Sequence, residues 1–310
     1  MLGRLRDLGV MGINERNVQL VAKLNPRRLH RSVNDKVLSK HLAEAAGIAV
    51  PRLYGTIANT LELRGFRDMI ADLDGFVIKP ALGTQGNGIL VVGPRMNHGR
   101  QLANGRVVGV DRLAYQVNNI LSGMYSMGGQ PDKAMLEERV FFDASFDDVS
   151  FKGVPDIRVI VLKGYPIAGM LRLPTSASDG KANLHKGGVG VGIDIPTGKT
   201  GTAMQYDKPI ETHPDTGFSV KGLDIPQWEQ ILTMAAQSYD VTGLGYLGVD
   251  LVLDRHRGPL LLEFNARPGI SIQIANLVGL RGAVDRVMAQ AAAEPDLDVQ
   301  GRLAYARRSN

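Results

Sequence analysis

Apolar positions recur at helical spacing over Asn14–Leu24, where Val18, Val21, Ala22 and Leu24 share one side and Asn25-Pro26 stops the run. A second helix is predicted over Lys36–Ala46, capped by Asn34 or Asp35, with Val37, Leu38, Leu42 and Ala45 as its stripe and Gly47 at its end. Leu61–Leu73, a segment from an Asp111 cap to Leu121, Pro226–Ser238 and Gly279–Ala293 read as further helices. Short apolar runs predict strands at Val50–Ile57, Gly75–Lys79, Ile89–Val92, Ala134–Phe142, Ile157–Lys163, Ile167–Leu173, Leu247–Leu253 and Pro259–Asn265. Asn104-Gly105, Gly164-Tyr165-Pro166 and Asp254–Gly258 join neighbouring runs as turns. The strands are not separated by regular helices, so the pattern predicts an α+β fold and not a doubly wound parallel one. Thr175–Gly188 reads as a long polar loop, and Glu294–Asn310 as a loosely attached tail.

Length adds a domain estimate: at about 150 residues per domain, 310 residues suggest two domains or one large one. Apolar residues at 44% and charged residues at 22% exclude a disordered chain. The absence of cysteine excludes a disulfide framework, a thiolate zinc site and a cysteine nucleophile. Val159–Leu162 and Pro259–Leu262, among the longest apolar runs, fall far short of a membrane span. Met1–Arg16 lacks a signal-peptide core, and the expectation is a soluble cytoplasmic protein.

Charge is local. Residues 1–40 carry nine Lys/Arg, Arg4 and Arg6 among them, against three acidic residues, while the whole chain is only +5. The segment is either a solvated basic face or a surface for a polyanion or an anionic membrane, by peripheral contact only. Without interleaved aromatic residues, specific nucleic-acid binding is not supported.

Glycine, 37 residues, is enriched and clusters at Gly83–Gly88, Gly187–Gly192, Gly198–Gly201 and Gly243–Gly248, each read as a loop approached closely by other groups. Common signatures are missing: Gly198-Lys199-Thr200 lacks the glycine a phosphate loop needs at position 193, no G-x-S-x-G occurs, and no histidine pair has zinc spacing. Four other features carry candidate chemistry. Lys79 ends an apolar strand beside Gly83-Thr84-Gln85-Gly86, whose N–H groups suit a polyphosphate; a plain turn is the other reading. Asp250, Glu263 and Asn265 lie among apolar residues, with Glu263 and Asn265 on one strand face. Three oxygen ligands without His or Cys suit magnesium or manganese, against a reading as surface hairpin residues. Arg158, Arg172 and Arg267 sit near these features and suit phosphate or carboxylate. Asn183-Leu184-His185-Lys186-Gly187-Gly188 reads equally as a substrate loop or a surface loop.

The order of these features resembles the ATP-grasp superfamily, and within it RimK-like alpha-L-glutamate ligases, from about Asn34 to Gly269. The matching motifs are Asp35-Lys36, Val77–Gly88, Met135–Val140, Asp156-Ile157-Arg158, Asn183–Gly188, Gly248-Val249-Asp250 and Glu263–Gly269. The resemblance implies two α+β subdomains with ATP held between antiparallel sheets. It implies that Lys36 and Lys79 contact phosphates, and that adenine lies by the hinge Glu137, Glu138, Arg139 and Val140. It also implies that Asp250, Glu263 and Asn265 hold two magnesium ions. The corresponding organisation is a basic helical segment at 1–34, subdomains at 35–135 and 136–294, and a tail at 295–310. Family members carry a further domain before the first lysine motif, which has no counterpart in the 34 residues before Asp35. The expectation is that the acceptor site is built differently, or that a partner protein completes it.

The function implied is an ATP- and magnesium-dependent carboxylate–amine ligase working through an acyl phosphate. Glutamate or another amino acid would be joined to a peptide, protein or small amine. Arg158, Arg172, Arg267 and Asn183 would be its catalytic residues. The alternatives are a nucleotide-binding regulatory or scaffold module without turnover, and a partner-dependent ligase acting on a non-peptide substrate.

Overall fold

The computed structural model describes residues 7–83 and 86–309. Arg4, Arg6, Thr84 and Gln85 lie outside the described residues. The chain divides into two compact units: Asn34–Val37 with Pro51–Val140, and Met1–Val33 with Leu38–Val50 and Phe141–Asn310. The strand Ala134–Glu138 runs across position 135/136, residues 7–33 group with the larger unit, and Asn34 groups with the smaller one.

The smaller unit carries a six-stranded antiparallel sheet of β1 (Leu53–Ile57), β2 (Phe76–Pro80), β3 (Leu90–Met96), β4 (Gly99–Leu102), β5 (Val107–Val108) and β6 (Ala134–Glu138), in the order β1-β6-β2-β3-β4-β5. Alternation turns Phe76, Ile78, Ala134 and Leu136 to one face, where Leu113, Val117 and Ile120 of the helix Val110–Leu121 cover them. That helix starts after Gly109 without a side-chain cap, so Asp111 is a first-turn acid and not the expected cap. Asn104-Gly105 closes the β4–β5 hairpin as expected, with Gly105 at φ +84°. The expected helix over 61–73 shrinks to the 3-10 turn Glu62–Gly65 and the short helix Phe66–Met69, where Phe66 and Ile70 are buried and Leu63, Met69 and Leu73 pack partly against the same core.

The larger unit holds a seven-stranded antiparallel sheet of β7 (Asp156–Leu162), β8 (Tyr165–Leu173), β9 (Val189–Ile193), β10 (Thr200–Gln205), β11 (Lys208–Ile210), β12 (Tyr246–Asp254) and β13 (Gly258–Asn265). Their order is β11-β10-β9-β8-β7-β12-β13. One face, with Ile157, Val159, Val161, Leu171, Val191 and Val249, packs on Ile231, Leu232 and Ala235 of the helix Trp228–Thr242. Part of the other face, Ile160, Leu162, Met170 and Tyr246, is covered by Met11, Leu20 and Val21 and by Ile272, Leu280, Val284 and Val287. Burial of each such side chain contributes roughly 1.5–3 kcal/mol.

Two expectations fail here. The glycine clusters at 187–192 and 198–201 contribute to β9 and β10 and are not wholly loop. Alternation is hidden because glycines stand where neighbours approach: a Cβ at Gly192 would lie 2.8 Å from the Ala275 carbonyl oxygen. The supposed loose tail forms the helix Val299–Ser309, with Leu303 and Ala306 buried and Arg302 paired with Asp240. Its apolar stripe is narrow, and the Arg302–Asp240 pair completes the attachment. Among the described residues, no helix is long and apolar enough to cross a membrane.

Candidate active site

Beyond its apolar part, the second face of the seven-stranded sheet turns polar. Asp250 is the register partner of Arg158 on β7 and of Glu263 on β13, Gly248 pairs with Asn265, and Asp156 pairs with Arg172. Antiparallel partners share a face, as do residues two apart. Asp156, Arg158, Arg172, Asp250, Glu263 and Asn265 therefore project to one side. A register shift directly after Asp250 lets the strand change its aim there.

Arg158 grips Asp250 bidentately, Nε to Oδ1 at 2.6 Å and Nη2 to Oδ2 at 2.5 Å. Arg172 donates from Nη2 to Asp250 Oδ2 at 2.7 Å and from Nε to Asp156 Oδ1. Two guanidiniums thus balance two carboxylates at a site where Asp250 is only 2% exposed. Burial pushes the Asp250 carboxyl up, but Arg158 and Arg172 outweigh it and hold it at about 2. Burial dominates at Asp156 and raises it to about 6, against the opposing pull of Arg172. Burial would lower the Arg172 guanidinium, and the facing Asp156 and Asp250 more than reverse this.

In the smaller unit, Lys79 lies on the face of β2 opposite the core, and its Nζ meets Glu137 Oε1 at 2.5 Å, both side chains buried. The glycine loop is pinned at both ends. At its start, both oxygens of Asp132 accept from Leu82 N–H at 3.0 Å, Lys36 N donates to Ala81 O at 3.1 Å, and Lys36 Nζ donates to Gly83 O at 2.5 Å. At its end, Gln116 donates to Gly88 O at 2.9 Å. A Cβ at Gly88, with φ +77°, would fall 2.5 Å from the Tyr125 ring. Burial raises the Asp132 carboxyl.

A family model for sugar-transfer associated ATP-grasp proteins matches residues 15–289. The chain belongs to this ATP-grasp family. The superfamily expected from the motifs is thereby met, and the family within it is the sugar-transfer associated one. The ATP-grasp fold is also that of solved structures. A biotin carboxylase from Campylobacter jejuni aligns at 14% identity over 94% of this chain and 55% of its own, with a TM-score of 0.55. A RiPP-associated ATP-grasp ligase from Chryseobacterium gregarium aligns at 13% identity over 91% and 68%, TM-score 0.49. A D-alanine-D-alanine ligase from Coxiella burnetii aligns at 13% identity over 90% and 59%, TM-score 0.42. The chain spans 64% of the length of the ATP-grasp ligase PsnB solved with a minimal precursor. No curated protein matches the sequence.

The site residues of this ATP-grasp chain divide into those the fold gathers and those it leaves apart. Arg158, Arg172 and Asp250 form one hydrogen-bonded cluster, with Glu263 and Asn265 on the same face. Asp250, expected as a metal ligand, spends both oxygens on arginines, and no group of three or more His, Asp or Glu side chains with metal-holding geometry occurs among the described residues. Arg267 is exposed, and its N–H donates to Asn265 Oδ1 at 2.9 Å. Asn183 accepts from His185 N–H at 3.0 Å and caps the turn Leu184–Lys186. Leu184 of that turn packs over Gly190, the register partner of Arg172.

Among the hinge residues, Glu137 pairs with Lys79, and Glu138 Oε2 accepts from Arg52 N–H at 3.0 Å. Arg139 lies over Gly93, where a Cβ would be 3.3 Å from its Nη1, and Val140 is partly buried. Gly86 is exposed at φ +69°. Sequence reasoning did not single out Asp132, which holds the start of the glycine loop, or Asp156 as the second carboxylate on Arg172, although Asp156-Ile157-Arg158 already placed Asp156 two residues from Arg158 on one strand face.

Proposed function

We propose that this ATP-grasp protein is an ATP- and magnesium-dependent ligase that joins a carboxylate to an amine. The supporting observation is the polar sheet face, where Glu263 and Asn265 stand beside a charge-balanced cluster of Asp156, Arg158, Arg172 and Asp250. The all-oxygen donor set of Glu263, Asn265 and Asp250 fits a hard cation. Asp250 would exchange part of its guanidinium contact for that ion. Magnesium, as one or two ions, or manganese in its place, would neutralise charge on the phosphates.

The chain's own residues would then act by position and charge. Lys79 and Lys36, with N–H groups of the Gly83–Gly88 loop, would hold the polyphosphate, and Glu137–Val140 would border the adenine. Arg158 and Arg172 would receive the substrate carboxylate and stabilise the transferring phosphoryl group. A carboxylate oxygen would attack the γ-phosphorus with ADP leaving. An amine would then attack the acyl carbon, phosphate would leave, and the amine's proton would pass to solvent. Arg267 would join this set on substrate binding, while Asn183 would shape the loop beside it. Glutamate, as in RimK-like ligases, is one amine to test. A sugar-borne carboxylate is an acceptor suggested by the family's description.

The experiment is ADP release from ATP and magnesium, screened over single amino acids with peptide and saccharide carboxylates. The blank is a Lys79→Ala, Asn265→Ala double variant. Release that depends on one amine and one carboxylate supports the ligase. Tight nucleotide binding without release under any pair supports a regulatory module or a partner-completed site.

A further inference from the structure

We propose that Asn25 and Arg16, from the N-terminal helical segment, are positioning residues that set the turn after Asn265 and with it the roof over the polar sheet face. The inference rests on the ligase reading for its functional consequence, not for its geometry. The β12–β13 ladder runs out at Gly248 and Asn265. One step further, the backbone of Tyr246 is taken by the Asn25 amide: Asn25 Nδ2 donates to Tyr246 O at 2.6 Å, and Asn25 Oδ1 accepts from Tyr246 N–H at 3.0 Å. The same Nδ2 donates to Ala266 O at 2.9 Å. Asn25 therefore fills the place of a strand partner and peels the chain away from the sheet directly after Asn265.

Arg16 holds the next point. Its Nη1 donates to Pro268 O at 2.6 Å. Pro268 in turn folds back over β12: a Cβ on Gly248 would lie 2.8 Å from Pro268 Cβ, on the face that carries Asp250. Gly248 thus has no side chain because the turn occupies that space. Arg16 and Asn25 are 7% and 3% exposed. Burial lowers the Arg16 guanidinium below its usual range, so desolvation weighs against the charge that Arg16 spends on a carbonyl. Two anchors at Ala266 and Pro268 fix Arg267 between them, while its own N–H is tied to Asn265 Oδ1. The brace therefore sets both the proposed cation ligand Asn265 and the direction from which Arg267 reaches substrate.

The test compares Asn25→Ala and Arg16→Met with Leu20→Ala, which removes core packing of the same segment without touching these carbonyls. Two readouts are used on the full chain: amide hydrogen exchange over residues 264–270, and the magnesium concentration for half-maximal binding of a non-hydrolysable ATP analogue. Loss of an anchoring hydrogen bond should speed exchange about tenfold. Loosening a residue that orients a metal ligand should raise the magnesium midpoint about tenfold or more. Leu20→Ala, at a matched fall in Tm, should move neither. Equal changes in Leu20→Ala, or unchanged exchange in both brace variants, overturn the proposal. Absence of nucleotide binding by the wild-type protein sinks the ligase reading instead, and the exchange data still decide the brace.

Discussion

Asp250 and Glu263 face each other across β12 and β13, and both oxygens of Asp250 are bonded to the guanidiniums of Arg158 and Arg172. Neutralising Asp250 should therefore unbalance that buried cluster. Asp250→Asn takes from Arg158 the carboxylate it grips, leaves Arg172 with Asp156, and should cost about 3 kcal/mol of stability. Glu263→Gln should raise the magnesium needed for nucleotide binding. Urea titrations of both variants beside magnesium-dependent binding check this. A loss in Asp250→Asn below about 0.5 kcal/mol, the level of an ordinary surface change, would refute it.

Lys79 and Glu137 form a buried ion pair at 2.5 Å. Lys79→Ala removes the ammonium that the buried Glu137 carboxylate meets, at an expected cost of about 3 kcal/mol. Replacing both, as Lys79→Met with Glu137→Leu, should recover most of that stability while nucleotide binding stays lost. Calorimetric titration with the ATP analogue separates the two effects. Restored binding in the double variant would remove Lys79 from the proposed phosphate contacts.

Asp156 lends stability a pH dependence. Its carboxyl is raised to about 6 in the folded protein against an ordinary 3.8, so its contribution is fully present below 3.8 and is lost as pH rises through about 6. Asp250, held at about 2, acts oppositely: its contribution is present above 3.8 and is lost as pH falls through about 2. Relative to wild type, Asp156→Asn should gain stability between pH 4 and 6 and then level off. Paired thermal melts across that range measure the difference, and a flat difference would contradict the burial effect at Asp156.

Leu303, 1% exposed on the C-terminal helix, should behave as a core residue. Leu303→Ala is expected to cost about 3 kcal/mol. A loss below about 0.5 kcal/mol, the level of an ordinary surface change, would mean that the helix does not pack as described.

Much of the site can be read directly along the chain. Alternation along Phe76–Pro80 separates Lys79 from the core residues Phe76 and Ile78, and the spacing of Glu263 and Asn265 sets them on one strand face. The Gly-rich loop beside Lys79 is equally legible, because Gly88 has φ +77° and Tyr125 against it. Strands β9 and β10 are not legible, since glycines such as Gly190 and Gly192 occupy positions where side chains would have displayed the period. The C-terminal helix escapes for a related reason: its attachment combines Leu303 and Ala306 with a charge pair across 62 residues.

Local spacing thus determines which residue types face one side of each strand, since a strand's two-residue period is a property of the chain alone. It does not determine which strands lie together. Arg158 and Arg172 reach Asp250 across 92 and 78 residues because β7 lies between β8 and β12. Arg16 and Asn25 reach the Ala266–Pro268 turn across more than 240 residues in the same way. Contacts at such separations depend on how the sheet is assembled and on which faces bury apolar surface. Tertiary packing therefore made Asp250 an arginine-bound carboxylate and made the N-terminal segment part of the site.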